Sequence, residues 1–157
     1  MVRPVFPGSF DPMHNGHLDI IIRAQRIFGD LMVLVMENPL KSESRFTLKE
    51  RLAIVNESIR DIEGTRAASF DGSLLDYLRQ EETKIVIKGV RGSVDLDSEM
   101  QMAQINRHLE RHVETLFLPT DPALSFVSGT RIRELVDLGV DVSTFVPKVT
   151  RRKLEGS

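Results

Sequence analysis

The chain has 157 residues, 41% hydrophobic and 28% charged, with 21 basic against 23 acidic side chains and a formal net charge of -2. That length fits one globular domain over residues 1–157, and the charge balance lacks the basic excess that nonspecific binding to a nucleic-acid backbone needs. There is no cysteine, which excludes disulfides, iron–sulfur clusters, thiolate-bound zinc and a thiol nucleophile. A reducing cytoplasm suits such a chain. No apolar stretch approaches the roughly 18 residues needed to span a bilayer, and no export signal opens the sequence, so neither a membrane nor a nucleic acid is an expected partner.

In chain order, Val2–Pro7 is a short apolar strand closed by Pro7-Gly8. A helix from about Asn15 to Phe28 follows, with His17, Ile20, Ile21, Ala24, Ile27 and Phe28 at the spacing that buries one face. Gly29-Asp30 ends it. Leu31–Met36 is a continuous apolar run, as in a strand covered on both faces, and Asn38–Phe46 is a polar loop. Thr47-Leu-Lys-Glu50 is a capping box that opens a helix carrying Leu48, Leu52, Val55 and Ile59.

Arg66–Phe70 then reads as a strand, Leu74–Gln80 as a short helix and Lys84–Val90 as a strand. A helix from about Asp95 to Arg111, a strand Thr115–Leu118 and a helix from about Thr130 to Leu138 complete the pattern, with basic turns near Lys148–Leu154. Five strands alternating with helices predict a doubly wound α/β fold, a parallel sheet with helices on both faces. Ligands of such sheets bind beyond the carboxyl ends of the strands, where strand order reverses. The segments to inspect are therefore 8–16, 38–46, 70–75, 88–95 and 119–130.

The first of these, Gly8-Ser-Phe-Asp-Pro-Met-His-Asn-Gly-His17, has neither a lysine-containing phosphate loop nor a GxGxxG fingerprint. Its glycines let the backbone turn and approach a ligand, and the helix start offers amides and a positive dipole end. His14 and His17 are three apart and share one side, where imidazoles can donate to phosphate oxygens. No third ligand completes the pair at a recognisable spacing, so no metal held by side chains is expected. Met100, Met102, Ala103 and Ile105 read as core or subunit interface, and His108 and His112 as a solvated helix face.

Gly-Ser-Phe-Asp-Pro with His14-Asn-Gly-His17 resembles the signature of the nucleotidyltransferase superfamily. Ile87-Lys-Gly-Val-Arg91, Glu99-Met-Gln-Met-Ala103 and Asn106-Arg-His108 resemble, in collinear order from about Pro4 to Leu154, the bacterial phosphopantetheine adenylyltransferase family. The resemblance implies a Rossmann-like sheet of order 3-2-1-4-5. It implies attack of the 4′-phosphopantetheine phosphate on the α-phosphorus of ATP with Mg²⁺, giving dephospho-coenzyme A and pyrophosphate, and a homohexamer. It makes His17 the catalytic donor to the α-phosphate. Ser9, Phe10, His14, Gly89, Val90, Arg91, Glu99 and Leu124-Ser125-Phe126-Val127-Ser128-Gly129-Thr130 would join His17 around ATP, and Ser9, Lys41, Leu74 and Lys88 would hold phosphopantetheine.

Four positions depart from the family pattern: His14 where threonine is frequent, Lys88 where arginine is common, Ser98 for an aromatic, and Gly129 within a serine run. Two other readings stand beside the first. One is a related nucleotidyltransferase with another acceptor, such as a cytidylyltransferase or a nicotinamide-nucleotide transferase; the other is a non-catalytic nucleotide-binding regulator.

Overall fold

Apolar periodicity dictates an alternation of strands and helices, and the computed structural model, which describes residues 3–37 and 44–156, follows it. The elements are β1 (Val5–Gly8), α1 (Asn15–Phe28), β2 (Leu31–Met36), α2 (Leu48–Ile59), β3 (Thr65–Phe70), α3 (Leu74–Gln80), β4 (Ile85–Val90), α4 (Ser93–Leu109), β5 (Glu114–Pro119), α5 (Gly129–Asp137) and α6 (Lys148–Glu155). A 3-10 turn at Pro122–Leu124, capped by Asp121, is an addition to the sequence reading.

All strand pairs are parallel and the order is β3-β2-β1-β4-β5, as expected of a Rossmann-like sheet. β1 pairs with β2 from Val5↔Met32 to Gly8↔Val35, but with β4 through the single register Val5↔Val86. The ladder stops there, so a gap opens between the carboxyl ends of β1 and β4. This is the point at which strand order reverses, the usual place for a ligand.

Successive strand residues feed two cores, because side chains alternate across a sheet. Phe6, Val33, Val35 and Ile87 pack with Ile20, Ile21 and Ala24 of α1, Ile54, Val55 and Ile59 of α2, and Val149 and Leu154 of α6. Val5, Met32, Leu34 and Val86 pack against Leu75, Tyr77 and Leu78 of α3. The predicted box at α2 is present in both directions: Thr47 caps Glu50, and the Glu50 carboxylate accepts from the Thr47 amide at 2.9 Å.

One expectation fails and another is narrowed. Ile27 is 63% exposed although it was assigned to the buried stripe; it sits at the edge of that arc in the last turn of α1. The methionine-rich α4 buries only Asn106 among its described side chains, while Met100, Met102, Ile105 and Leu109 are exposed. Of the two alternatives for these residues, core or subunit interface, the core is excluded, since α4 lies over the sheet edge at β5, where only one side of the helix meets the rest of the chain.

Gly29 and Gly64 pin the entry to β2. Gly64 has φ +75°, its carbonyl accepts from the Leu31 amide at 2.9 Å, and a Cβ there would lie 2.2 Å from the Gly29 carbonyl oxygen. An L side chain is strained at that φ before the clash is counted. Gly64→Ala is expected to lower stability by ~1–3 kcal/mol, read as a lower urea midpoint with an unchanged denaturant slope.

Candidate active site

The turn that leaves β1 is built on a buried scaffold. Phe10 has φ 47°, a left-handed conformation uncommon outside glycine. That conformation buries its ring, 1% exposed, edge-on to Phe6 with centroids 5.6 Å apart and 4.7 Å from the His17 ring. Phe10 is thus the floor under His17, not part of the cavity wall.

His14 and His17 form a reciprocal capping box at the start of α1. The His14 ring Nδ1 accepts from the His17 amide at 3.3 Å, and the His17 ring Nδ1 accepts from the His14 amide at 3.1 Å. The two rings stack with centroids 3.6 Å apart. A ring nitrogen that accepts from an amide carries no proton, so each imidazole bears its hydrogen on Nε2. The box converts two histidines into oriented neutral donors. The amides at this helix start, expected to face a ligand, are thus taken within the protein: those of His14 and His17 by the box, that of Asn15 by the Phe145 carbonyl at 2.8 Å and that of Leu18 by the His14 carbonyl at 3.2 Å.

Burial of the His14 ring, with the Arg91 charge as a lesser cause, pushes its pKa down to about 3. In the unfolded chain the ring titrates near 6.5, so between these values the unfolded state binds a proton that the native state refuses. Stability from His14 is complete above pH 6.5 and is lost as pH falls toward 3, at about 1.4 kcal/mol per pH unit. His14→Asn, which keeps a capping oxygen, is expected to flatten the acid limb of the stability profile relative to the unmodified chain, as measured by urea titrations from pH 7 to pH 4.

Opposite the histidines, the end of β4 and the start of α4 supply charge. Lys88 Nζ lies 3.2 Å from the Glu99 carboxylate. Arg91 forks onto Asp95, Nε to Oδ2 at 2.7 Å and Nη2 to Oδ1 at 3.0 Å, and its Nη1 reaches the Val127 carbonyl at 3.4 Å. The guanidinium holds the Asp95 carboxyl below the usual carboxylate range. Asp95 thereby fixes the plane of the guanidinium, a role the sequence did not distinguish.

These groups meet in a cavity of about 540 Å³ in the gap between β1 and β4. Ser9, His14, His17, Lys88, Gly89, Arg91, Glu99, Val127, Ser128, Gly129 and Thr130 line it, joined by Thr120 and Ser98, which no assignment included. Ser128 caps α5 by accepting from the Arg131 amide at 3.1 Å, and its hydroxyl hydrogen remains available to a ligand. Of the other expected residues, Val90, Leu124, Ser125 and Phe126 lie outside the wall, Phe126 lying edge-on to Phe145 and 58% exposed. Leu74 packs on the core beneath α3. Lys41 falls outside the described residues.

Glycines do different work here from that expected. A Cβ on Gly89 would meet the Ile20 side chain at 3.0 Å, and one on Gly129 would meet the Asp11 carbonyl oxygen at 3.1 Å. Both admit protein neighbours, α1 and the first turn, rather than a ligand alone.

Two buried residues that the sequence reading missed hold this arrangement. Asp11, 3% exposed, accepts from the Arg45 amide at 2.9 Å and the Phe46 amide at 3.0 Å, while Arg133 donates to its carbonyl. Arg51 of α2 is fully buried and donates to the carbonyls of Ser9 at 2.7 Å, Met36 at 3.0 Å and Phe46 at 3.1 Å, and to Glu37 at 2.6 Å. The signals were present: an aspartate inside Phe10-Asp11-Pro12, and an arginine interrupting the apolar side of α2.

The Cytidylyltransferase-like family model matches residues 5–135. A phosphopantetheine adenylyltransferase from Syntrophus aciditrophicus is 42% identical over 96% of this chain and 91% of its own length. One from Alkaliphilus metalliredigens is 43% identical over 92% of each chain. The crystal structure of a Vibrio parahaemolyticus protein assigned as a nicotinate-nucleotide adenylyltransferase superposes with a TM-score of 0.71 over 99% of both chains at 16% identity, a likeness of fold.

Proposed function

The chain belongs to the Cytidylyltransferase-like family and, within it, to the phosphopantetheine adenylyltransferases, and from that premise we propose that it transfers the adenylyl group of ATP to 4′-phosphopantetheine. The products are dephospho-coenzyme A and pyrophosphate, a step of coenzyme A biosynthesis. The observation that carries the reading is the convergence of two oriented imidazoles, Lys88 and Arg91 on one cavity at the switch point of the sheet.

In this reading an oxygen of the acceptor phosphate attacks the α-phosphorus in line, and the bond to the β-phosphate oxygen breaks with its electron pair leaving on pyrophosphate. A phosphate monoester with a second pKa near ~6 is already anionic at neutral pH, so no base is needed to activate it. Catalysis then reduces to alignment and to stabilising charge at the transferring group. His17 Nε2–H donates to a non-bridging α-phosphate oxygen, with Ser9 and Lys88 on the acceptor side and Arg91 and the start of α5 on the triphosphate.

Mg²⁺ belongs to the reading as part of the nucleotide. Among the described residues no three His, Cys, Asp or Glu side chains converge on a metal position, and Asp95 and Glu99 are committed to Arg91 and Lys88. The ion would be ligated by phosphate oxygens and water, neutralising the triphosphate. The reading also includes a cytoplasmic homohexamer, in which neighbouring copies cover Met102, Ile105 and Leu109 of α4. A monomer in sedimentation equilibrium would remove that part alone.

Incubation with Mg²⁺, ATP and 4′-phosphopantetheine, followed by assay of pyrophosphate and dephospho-coenzyme A, is the direct test. Product formation is expected. Absence of product, with turnover appearing instead when CTP or nicotinamide mononucleotide is supplied, would move the chain to a different acceptor or donor.

A further inference from the structure

We propose that Thr150, in the first turn of α6 and outside the region matched by the family model, is a positioning residue for His17. The proposal rests on the adenylyl-transfer reading and concerns how its donor is held. Thr150 is fully buried, and its hydroxyl donates to the Met13 carbonyl at 2.9 Å, across 137 positions of sequence. That carbonyl belongs to the peptide group whose N–H, on His14, donates to His17 Nδ1 at 3.1 Å. One peptide plane is therefore gripped at both ends: the hydroxyl sets its rotation, and its amide fixes the tautomer and tilt of the His17 ring.

The segment just before α6 repeats the grip. The Asn15 amide donates to the Phe145 carbonyl at 2.8 Å, and the Asn15 side chain to the Thr144 carbonyl at 3.1 Å. The carboxy-terminal segment thus meets the turn on both sides of His14. Hydrogen bonds in series polarise one another, so a hydroxyl on the carbonyl strengthens the amide as a donor to the imidazole. Loss of the hydroxyl frees the peptide to rotate, and the ring nitrogen that should carry the proton is no longer specified.

Two comparisons isolate the hydroxyl. Thr150→Val keeps the branched shape, and Thr150→Ser against Thr150→Ala differ only in the hydroxyl once the methyl is gone. With turnover expressed per folded molecule, Val and Ala are expected to lower kcat about tenfold, with KM for ATP and for 4′-phosphopantetheine within about twofold. Ser is expected to restore kcat to within about threefold of the parent. Nitrogen-15 spectra of the His17 ring should show the Nε2–H tautomer in the parent and in Ser, and a mixture in Val and Ala.

Unchanged kcat in folded Val or Ala would overturn the proposal, as would losses that track the folded fraction with the His17 tautomer unaltered. Should neither Val nor Ala yield folded protein at any temperature while Ser does, the hydroxyl serves folding and the proposal is also lost. The parent protein separates this from the wider reading: an inactive parent defeats the assigned reaction, whereas an active parent matched by Thr150→Val defeats only the positioning role.

Discussion

His17→Ala is expected to fold and to lose ~10²–10³ in kcat, with a modest change in KM for ATP. The reason is differential: an Nε2–H aimed at a non-bridging oxygen gains most when negative charge accumulates there in the transition state. In the proposed arrangement, ground-state binding of the triphosphate rests mainly on Arg91 and the start of α5, so affinity suffers less. The fold survives because the ring is a cap, not a core member, and α1 keeps its apolar side of Ile20, Ile21 and Ala24. Steady-state kinetics with both substrates, alongside a thermal melt, reads both halves. Full activity in a folded variant would remove His17 from the chemistry.

Arg51→Met is expected to cost ~3–5 kcal/mol of stability. The side chain is fully buried, and its removal leaves the carbonyls of Ser9, Met36 and Phe46 without their guanidinium donor, that of Phe46 in the interior, while the Glu37 carboxylate loses its partner. Each unpaired buried acceptor costs ~1–3 kcal/mol, and Met fills the volume without replacing any donor. Arg51→Lys should be intermediate, because one ammonium cannot reproduce a planar fork that spans four acceptors. For a chain of this size the loss for Met corresponds to a fall in Tm on the order of 10 °C. Activity should fall with it, as the Ser9 carbonyl is one anchor of the turn that carries the histidines. A Met variant as stable as the parent would show the guanidinium to be merely tolerated.

Much of the architecture was legible because it rests on local rules. The α1 stripe, the unbroken apolar run of β2 and the Thr47-x-x-Glu50 box each encode an element in residues a few positions apart, and these bounds match closely. What stayed hidden was longer in range. Asp11 and Arg51 look like ordinary charges until the fold brings backbone groups 35 and 42 positions away onto them. Thr150 looks like any helix threonine. The two histidines were legible as a pair, but their mutual capping was not, since a histidine at the N-cap position is unusual and its ring nitrogen has to be placed before the exchange can be seen. Ile27 was misplaced, and α4 left between core and interface, for a related reason: periodicity says which residues share a side, not whether protein covers that side.

The early end of the ladder between β1 and β4 has a bearing on how this enzyme class can change. Because the opening comes from main-chain geometry, with the strands parting after Val5 and Val86, no particular wall residue is needed to keep it open. Substitution around the rim can then retune what enters without rebuilding the reaction centre, which is held from behind by Arg51, Asp11 and Thr150. Evolution of new acceptors on this framework is a matter of redecorating a doorway whose frame is fixed.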